Sequence, residues 1–155
     1  MKIGKIIMIG LLCWTSSGLA MDELEALRWD RRVIAYRIVS ATELERTKAH
    51  WLDWKKDFEE RDLVWVNLGE PGLEVVRGAA LSDNEKKKWR DRLGFSERAD
   101  GERVPRRNEF ALIGKDGELK DLQSGRLSLP EFFDLIDTMP MRRAEMRLAR
   151  EAKGK

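Results

Sequence analysis

Cysteine and histidine are almost missing from this chain. Of 155 residues one is cysteine, Cys13, and one is histidine, His50. Cys13 lies inside a segment with the pattern of an export signal. Lys2 and Lys5 supply the positive start, Ile6 to Trp14 is a short apolar run, and Gly18 and Ala20 stand at the −3 and −1 positions of a cleavage site. Cleavage between Ala20 and Met21 is expected to leave a mature protein without a thiol. That protein has no disulfide, no thiolate nucleophile and no cysteine metal ligand. The apolar run is shorter than the roughly 20 residues a bilayer span needs, and no transmembrane span is expected once the signal is removed. The expected location is therefore periplasmic or secreted.

A charge of one sign is also lacking. The precursor carries a formal net charge of +2, and Lys2 and Lys5 account for all of it. A mature chain of balanced charge argues against nucleic acid as a partner, because such binders carry a basic excess. Charged residues still make up 37% of the sequence, which describes a mixed-sign, solvated surface. The ends differ locally. Asp22, Glu23 and Glu25 make the mature N-terminus acidic. Arg142, Arg143, Arg147, Arg150, Lys153 and Lys155 make the C-terminus basic. Residues 149–155 are read as a basic tail, and the segment is either a helix surface or a docking arm for an acidic partner or anionic lipid heads.

Catalytic patterns are scarce. His50 stands alone beside Trp51 and reads as a polar helix residue. No EF-hand spacing occurs. Gly69-Glu70-Pro71-Gly72 is a turn without the Gly-Lys-Ser/Thr ending that cradles phosphate. No catalytic residue, metal or cofactor is assigned.

What the sequence does contain is punctuation. Three Ser-x-x-Glu capping boxes, Ser40–Glu43, Ser82–Glu85 and Ser128–Glu131, each open a predicted helix. The first helix carries Leu44, Trp51, Trp54 and Phe58 on one stripe. The second has Trp89 and Leu93 four apart with Gly94 as its C-cap. The third carries Leu129, Phe132, Phe133 and Ile136. Pro140 is expected to stop or kink that third helix. Val33 to Val39 and Leu63 to Leu68 are apolar runs without alternation, as in strands covered on both faces. Phe110 to Ile113 and Glu118 to Leu122 flank Gly114-Lys115-Asp116-Gly117 and read as a hairpin. Met21 to Arg32 is read as a short leading helix, and 69–81 and 96–108 as loops. The order β-α-β-α-β-β-α predicts a three-layer α/β sandwich, a mixed central sheet with helices on both faces. Of the five tryptophans past the signal, Trp51 and Trp65 fit core positions, while Trp29, Trp54 or Trp89 could be contact anchors.

The segments Phe110 to Gly117, Ile136 to Arg143 and Glu145-Met146 resemble the bacterial domain-of-unknown-function family 4174. Glu60-Arg61-Asp62 before the second strand matches its layout too. The resemblance covers about residues 24–148. It implies a thioredoxin-like fold and kinship with equarin-type and sushi-repeat protein domains of animals. It implies no catalytic residue. Where a working thioredoxin has Cys-x-x-Cys, this chain has Ser40-Ala41-Thr42-Glu43, and no cis-proline is evident before the third strand, Pro105 lying five residues ahead of Phe110. The expectation is a non-catalytic binding module of the cell envelope, with Lys115, Asp116, Arg142 and Arg143 as contacts for an unknown protein or an anionic envelope component. The alternatives are a redox-related accessory enzyme of non-cysteine type and an envelope-surface structural protein. Residues 21–148 form the expected domain.

Overall fold

A computed structural model describes residues 23–69, 81–95 and 107–154. The cleavage site at Ala20 and Met21, Cys13, Pro105 and most of the two long loops lie outside the described residues. Among those described, the chain runs α1 (Glu23–Ala26), β1 (Arg32–Arg37), α2 (Ala41–Asp53), α3 (Lys55–Glu60), β2 (Leu63–Asn67), α4 (Asp83–Leu93), β3 (Glu109–Ile113), β4 (Leu119–Ser124), α5 (Leu129–Thr138) and α6 (Pro140–Lys153). The four strands form one sheet in the order β2-β1-β3-β4. β1 and β2 are parallel, Ile34 opposite Trp65. β1 with β3, and β3 with β4, are antiparallel. This is the expected α/β sandwich of thioredoxin-like layout.

The apolar runs of β1 to β3 lack alternation because both faces of the sheet are covered. Ile34, Tyr36, Trp65, Phe110 and Leu112 point to one side, where they pack with Leu44, Phe58, Phe132, Phe133 and Ile136 of α2, α3 and α5. Val33, Ala35, Val66, Ala111 and Ile113 point to the other, where they meet Trp89 and Leu93 of α4. The two-residue period of a strand thus divides one sequence run between two cores.

The long helix predicted from Ser40 to Phe58 is two helices. At Trp54 (φ −107°, ψ 11°) the ladder tightens. The Trp54 amide donates to the Trp51 carbonyl, three residues back, before four-residue spacing resumes with Phe58 to Trp54. The tighter turn rephases the stripe. Phe58 then stacks on Trp65 at 5.1 Å between ring centroids, and Trp54 meets Phe133 edge-on at 5.6 Å. Trp51 is half-buried, not central, and Trp89 is buried beneath α4; Trp29 is the exposed one, at 61%.

The three capping boxes have different fates. Ser82 and Glu85 form the complete reciprocal box, and Gly94 ends α4 in the left-handed region at φ 69°. Ser40 accepts from the Glu43 amide. Ser128 caps nothing with its side chain. The Gln123 side chain takes over, its Oε1 accepting from the Ser128 amide at 2.7 Å and its Nε2 donating to the Ser128 carbonyl at 3.1 Å. Ser82→Ala should therefore cost about 1 kcal/mol in urea unfolding, while Ser128→Ala should be near neutral. Equal losses at both serines would refute that assignment.

The break at Pro140 is real: α5 ends at Met139 in extended geometry and α6 begins with Pro140 in its first turn. Residues 149–153 are not a separate tail but the last turns of α6. The run is rich in Ala, Arg, Lys and Glu, all strong helix formers.

Candidate functional site

Lys115, Asp116, Arg142 and Arg143 separate in three dimensions. Lys115 sits in the turn between β3 and β4, yet its ammonium faces inward. It bonds Asp62 at 2.8 Å and Glu145 at 2.9 Å and is only 10% exposed. Asp116 closes its own turn, accepting from the Glu118 amide at 3.0 Å and from Lys120 at 2.6 Å. Arg142 reaches back to Asp137 at 3.0 Å and also contacts the carbonyl of Glu60. Lys115 and Arg142 thus meet around Glu145, which Arg142 approaches to 3.8 Å. Arg143 does not join them and faces solvent.

The residue at the heart of this network is one the sequence reading passed over. Arg32 opens β1, is 1% exposed, and holds Glu145 with a two-pronged pair, 3.1 Å from Nη1 to Oε2 and 3.1 Å from Nη2 to Oε1. Its Nη1 also donates to the Arg61 carbonyl at 2.8 Å. Arg61 in turn bonds Asp57 at 3.1 Å and Asp137 at 2.6 Å, and its guanidinium lies 4.7 Å from the centroid of the Phe133 ring. The short segments that resemble the family, Glu60-Arg61-Asp62, Lys115, Asp137 and Arg142 to Glu145, converge here. They brace α6 against the end of the sheet where β1 and β2 begin. A buried arginine was hidden in the sequence because it flanks an apolar run; the signal that could have revealed it was Glu145, an acid set among arginines in the first turns of α6.

This network predicts acid sensitivity. Burial opposes the charge on Glu145 and Asp137, but hydrogen bonds from Arg32 and Lys115 to the first, and from Arg61 and Arg142 to the second, outweigh it. Both carboxyls are held below their ordinary values. At Asp116 burial is likewise outweighed, there by the hydrogen bond from Lys120. The unfolded chain then binds protons more readily than the native one. The stabilisation is complete above the ordinary carboxyl range, about pH 4 to 5, and is lost as pH falls through the depressed native values. Glu145→Gln should flatten that acid limb in pH-dependent thermal unfolding; an unchanged limb would show that the network is not its source.

The other end of the sheet holds a cavity. In open α/β sheets, ligands collect outside the carboxyl ends of the parallel strands. There, beyond β1, lies a groove of about 760 Å³ between α2 and the segments flanking β3 and β4. Its floor is apolar: Val39, Phe110 and Leu127. Asn108, buried at its base, builds it. Asn108 Oδ1 accepts from the Val39 amide at 3.1 Å, its Nδ2 donates to Glu43 at 3.3 Å, and its carbonyl accepts from the Gly125 amide at 2.8 Å. One residue therefore joins β1, α2 and the turn after β4, directly ahead of β3. Its peptide is trans, as are all those described. Asn108→Ala should cost about 2 kcal/mol, since it removes a buried side chain that bonds both the part-buried Val39 amide and Glu43; a loss below about 0.5 kcal/mol in urea unfolding would remove Asn108 from this role.

Charge on the groove wall is uneven. Arg46 is neutralised by Glu43 at 2.8 Å. Arg107 and Arg126 line the groove with no ion pair or hydrogen bond among the described residues, and Asp53 and exposed His50 stand opposite on α2. The first turn of α2 presents Ala41, Thr42 and Glu43. No group of three or more metal-ligating side chains occurs among the described residues.

A mixed four-stranded sheet with helices on both faces defines an α/β sandwich domain. Residues 23–145 match the family described as a domain of unknown function (DUF4174), and the chain belongs to that family. No curated protein and no solved structure matches the chain.

Proposed function

We propose that this chain is an exported, non-catalytic binding domain of the periplasm or cell exterior, and that the groove beyond β1 takes an anionic segment of a partner protein. The observation that carries this reading is the groove itself. It has an apolar floor, a buried asparagine that fixes its shape, and two arginines whose charge no described residue neutralises. A guanidinium fork suits a carboxylate, and an apolar floor suits the side chains beside it. Export rests on the leader pattern of residues 1–20, and kinship with equarin-type domains rests on the resemblance alone.

The four residues singled out from sequence take a changed place in this proposal. Lys115 and Arg142 brace α6, Asp116 braces its turn, and only Arg143 offers an unpaired charge outward. Alanine at Lys115 or Arg142 is thus a stability change before it is a binding change.

The test is site-specific photocrosslinking in the producing cell from Ala49 on the groove wall, with Lys56 as an off-site control. A partner should be captured from Ala49, and Arg107→Ala with Arg126→Ala should weaken its capture by roughly tenfold per arginine while thermal stability stays put. Capture that ignores the double change would reject the groove. Turnover of peroxide or of a disulfide by the purified protein would favour the accessory-enzyme alternative instead.

A further inference from the structure

The groove beyond β1 carries opposite charges at its two ends. α2 forms one wall, and Glu43, Thr47, His50 and Asp53 line it at steps of four, three and three. Ten residues separate Glu43 from Asp53, so that wall is about 15 Å long. Arg107 and Arg126 belong to its first end. Asn108, the neighbour of Arg107, donates to Glu43 at 3.3 Å, and Gly125, the neighbour of Arg126, donates to the Asn108 carbonyl at 2.8 Å. Glu43 does not cancel the two arginines, because one of its carboxylate oxygens takes Arg46 and the other takes Asn108. Asp53 stands at the far end. It is exposed and makes no ion pair or side-chain hydrogen bond among the described residues.

The backbone of α2 strengthens this contrast. The amino end of a helix carries a partial positive charge and its carboxyl end a partial negative one. The arginines lie by the first and Asp53 closes the second, so side chains and helix dipole set up one field along the groove. An aspartate in the last turn of a helix is unfavourable for that helix, and the exposed side chain of Asp53 gains nothing from packing in return. A wholly anionic occupant would answer the arginines and be repelled at Asp53.

We infer that the groove takes a dipolar peptide segment, with an acidic residue at Arg107 and Arg126, a basic residue at Asp53, and apolar side chains over the floor of Val39, Phe110 and Leu127. An extended chain advances about 3.3 Å per residue, so the acid and the base stand about four or five residues apart. The inference rests on the groove's being a peptide site, and adds the partner's second charge and its spacing.

The experiment is selection of random dodecapeptides displayed on phage against the protein purified as the cell processes it. Three forms are used: wild type, Asp53→Lys, and Arg107→Glu with Arg126→Glu. The wild type should enrich an acid and a base four or five residues apart. Asp53→Lys should lose the base and gain a second acid at that spacing, and the arginine reversal should lose the acid. A synthetic peptide from the wild-type selection should bind Asp53→Ala roughly three- to fivefold more weakly by fluorescence polarisation, a loss that shrinks when salt is raised from about 0.1 M to 1 M. Asp53→Lys should keep the wild-type thermal midpoint or raise it, because lysine suits the end of a helix, and this separates a binding role from a structural one. Acid-rich peptides selected alike by wild type and Asp53→Lys would overturn the inference and leave the groove reading standing. Selection of no peptide, or of peptides indifferent to the arginine reversal, would overturn both.

Discussion

Glu145→Ala should lower the stability of this domain by about 3 kcal/mol and its thermal midpoint by roughly 10 °C. The reason is asymmetric. Arg32 is 1% exposed and Glu145 27% exposed. Removing the acid leaves a buried guanidinium whose Nε has no partner among the described residues, held there by the Arg61 carbonyl alone. Lys115 loses one of its two carboxylates at the same time. Removing the arginine is milder, because Glu145 retains Lys115 and partial access to water. Arg32→Met should therefore cost less than Glu145→Ala, and Arg32→Met with Glu145→Met should recover part of the loss. Breaking a buried pair strands a charge, whereas replacing both members with packed apolar groups does not. Urea unfolding of the three variants decides this. If Glu145→Ala is the mildest of them, Glu145 is not what neutralises Arg32.

Phe133→Ala carries the other large effect, about 4 kcal/mol. Phe133 links the core to the charged network. Its ring meets Trp54 at 5.6 Å and Phe58 at 5.8 Å, both edge-on, and carries the Arg61 guanidinium on one side. Phe58 passes the contact on to Trp65, which meets Tyr36 at 5.5 Å. Truncation leaves a cavity and removes aromatic pairs worth about 0.5 to 1.5 kcal/mol each beyond their area. Arg61 also loses the ring it lies against, so the acid limb should shift with the midpoint. Phe133→Leu keeps most of the volume and should cost about half as much. A midpoint for Phe133→Ala within a degree or two of wild type, by tryptophan fluorescence, would place the ring outside the core.

α5 and α6 are tied to the sheet by different forces. α5 buries Leu129, Phe132, Phe133 and Ile136 and was legible from periodicity, because burial of one helix face leaves a 3.6-residue trace. α6 buries nothing, so no such trace reveals where it docks. Arg32, Asp62, Asp137 and Glu145 lie up to 113 residues apart in the chain, and charge pairs at that separation leave no local spacing. The same holds for the groove. Val39, Asn108 and Arg126 belong to three segments, and a cavity has no sequence period at all. The Ser128 box failed for a related reason: its pattern is present, but Gln123, placed by the hairpin, occupies the amide first.

Local chemistry in the sequence set which segments become strands and helices, where Gly94 and Pro140 end them, that the apolar strands lie between two layers, and that the sole thiol falls within the leader-like residues 1–20. Tertiary contact alone decided that Lys115 and Arg142 turn inward while Arg143 turns outward, and that a groove opens beyond β1. A helix or strand is encoded by neighbours a few residues apart, whereas the partner of a charge is set by which chain ends the sheet brings within hydrogen-bond reach.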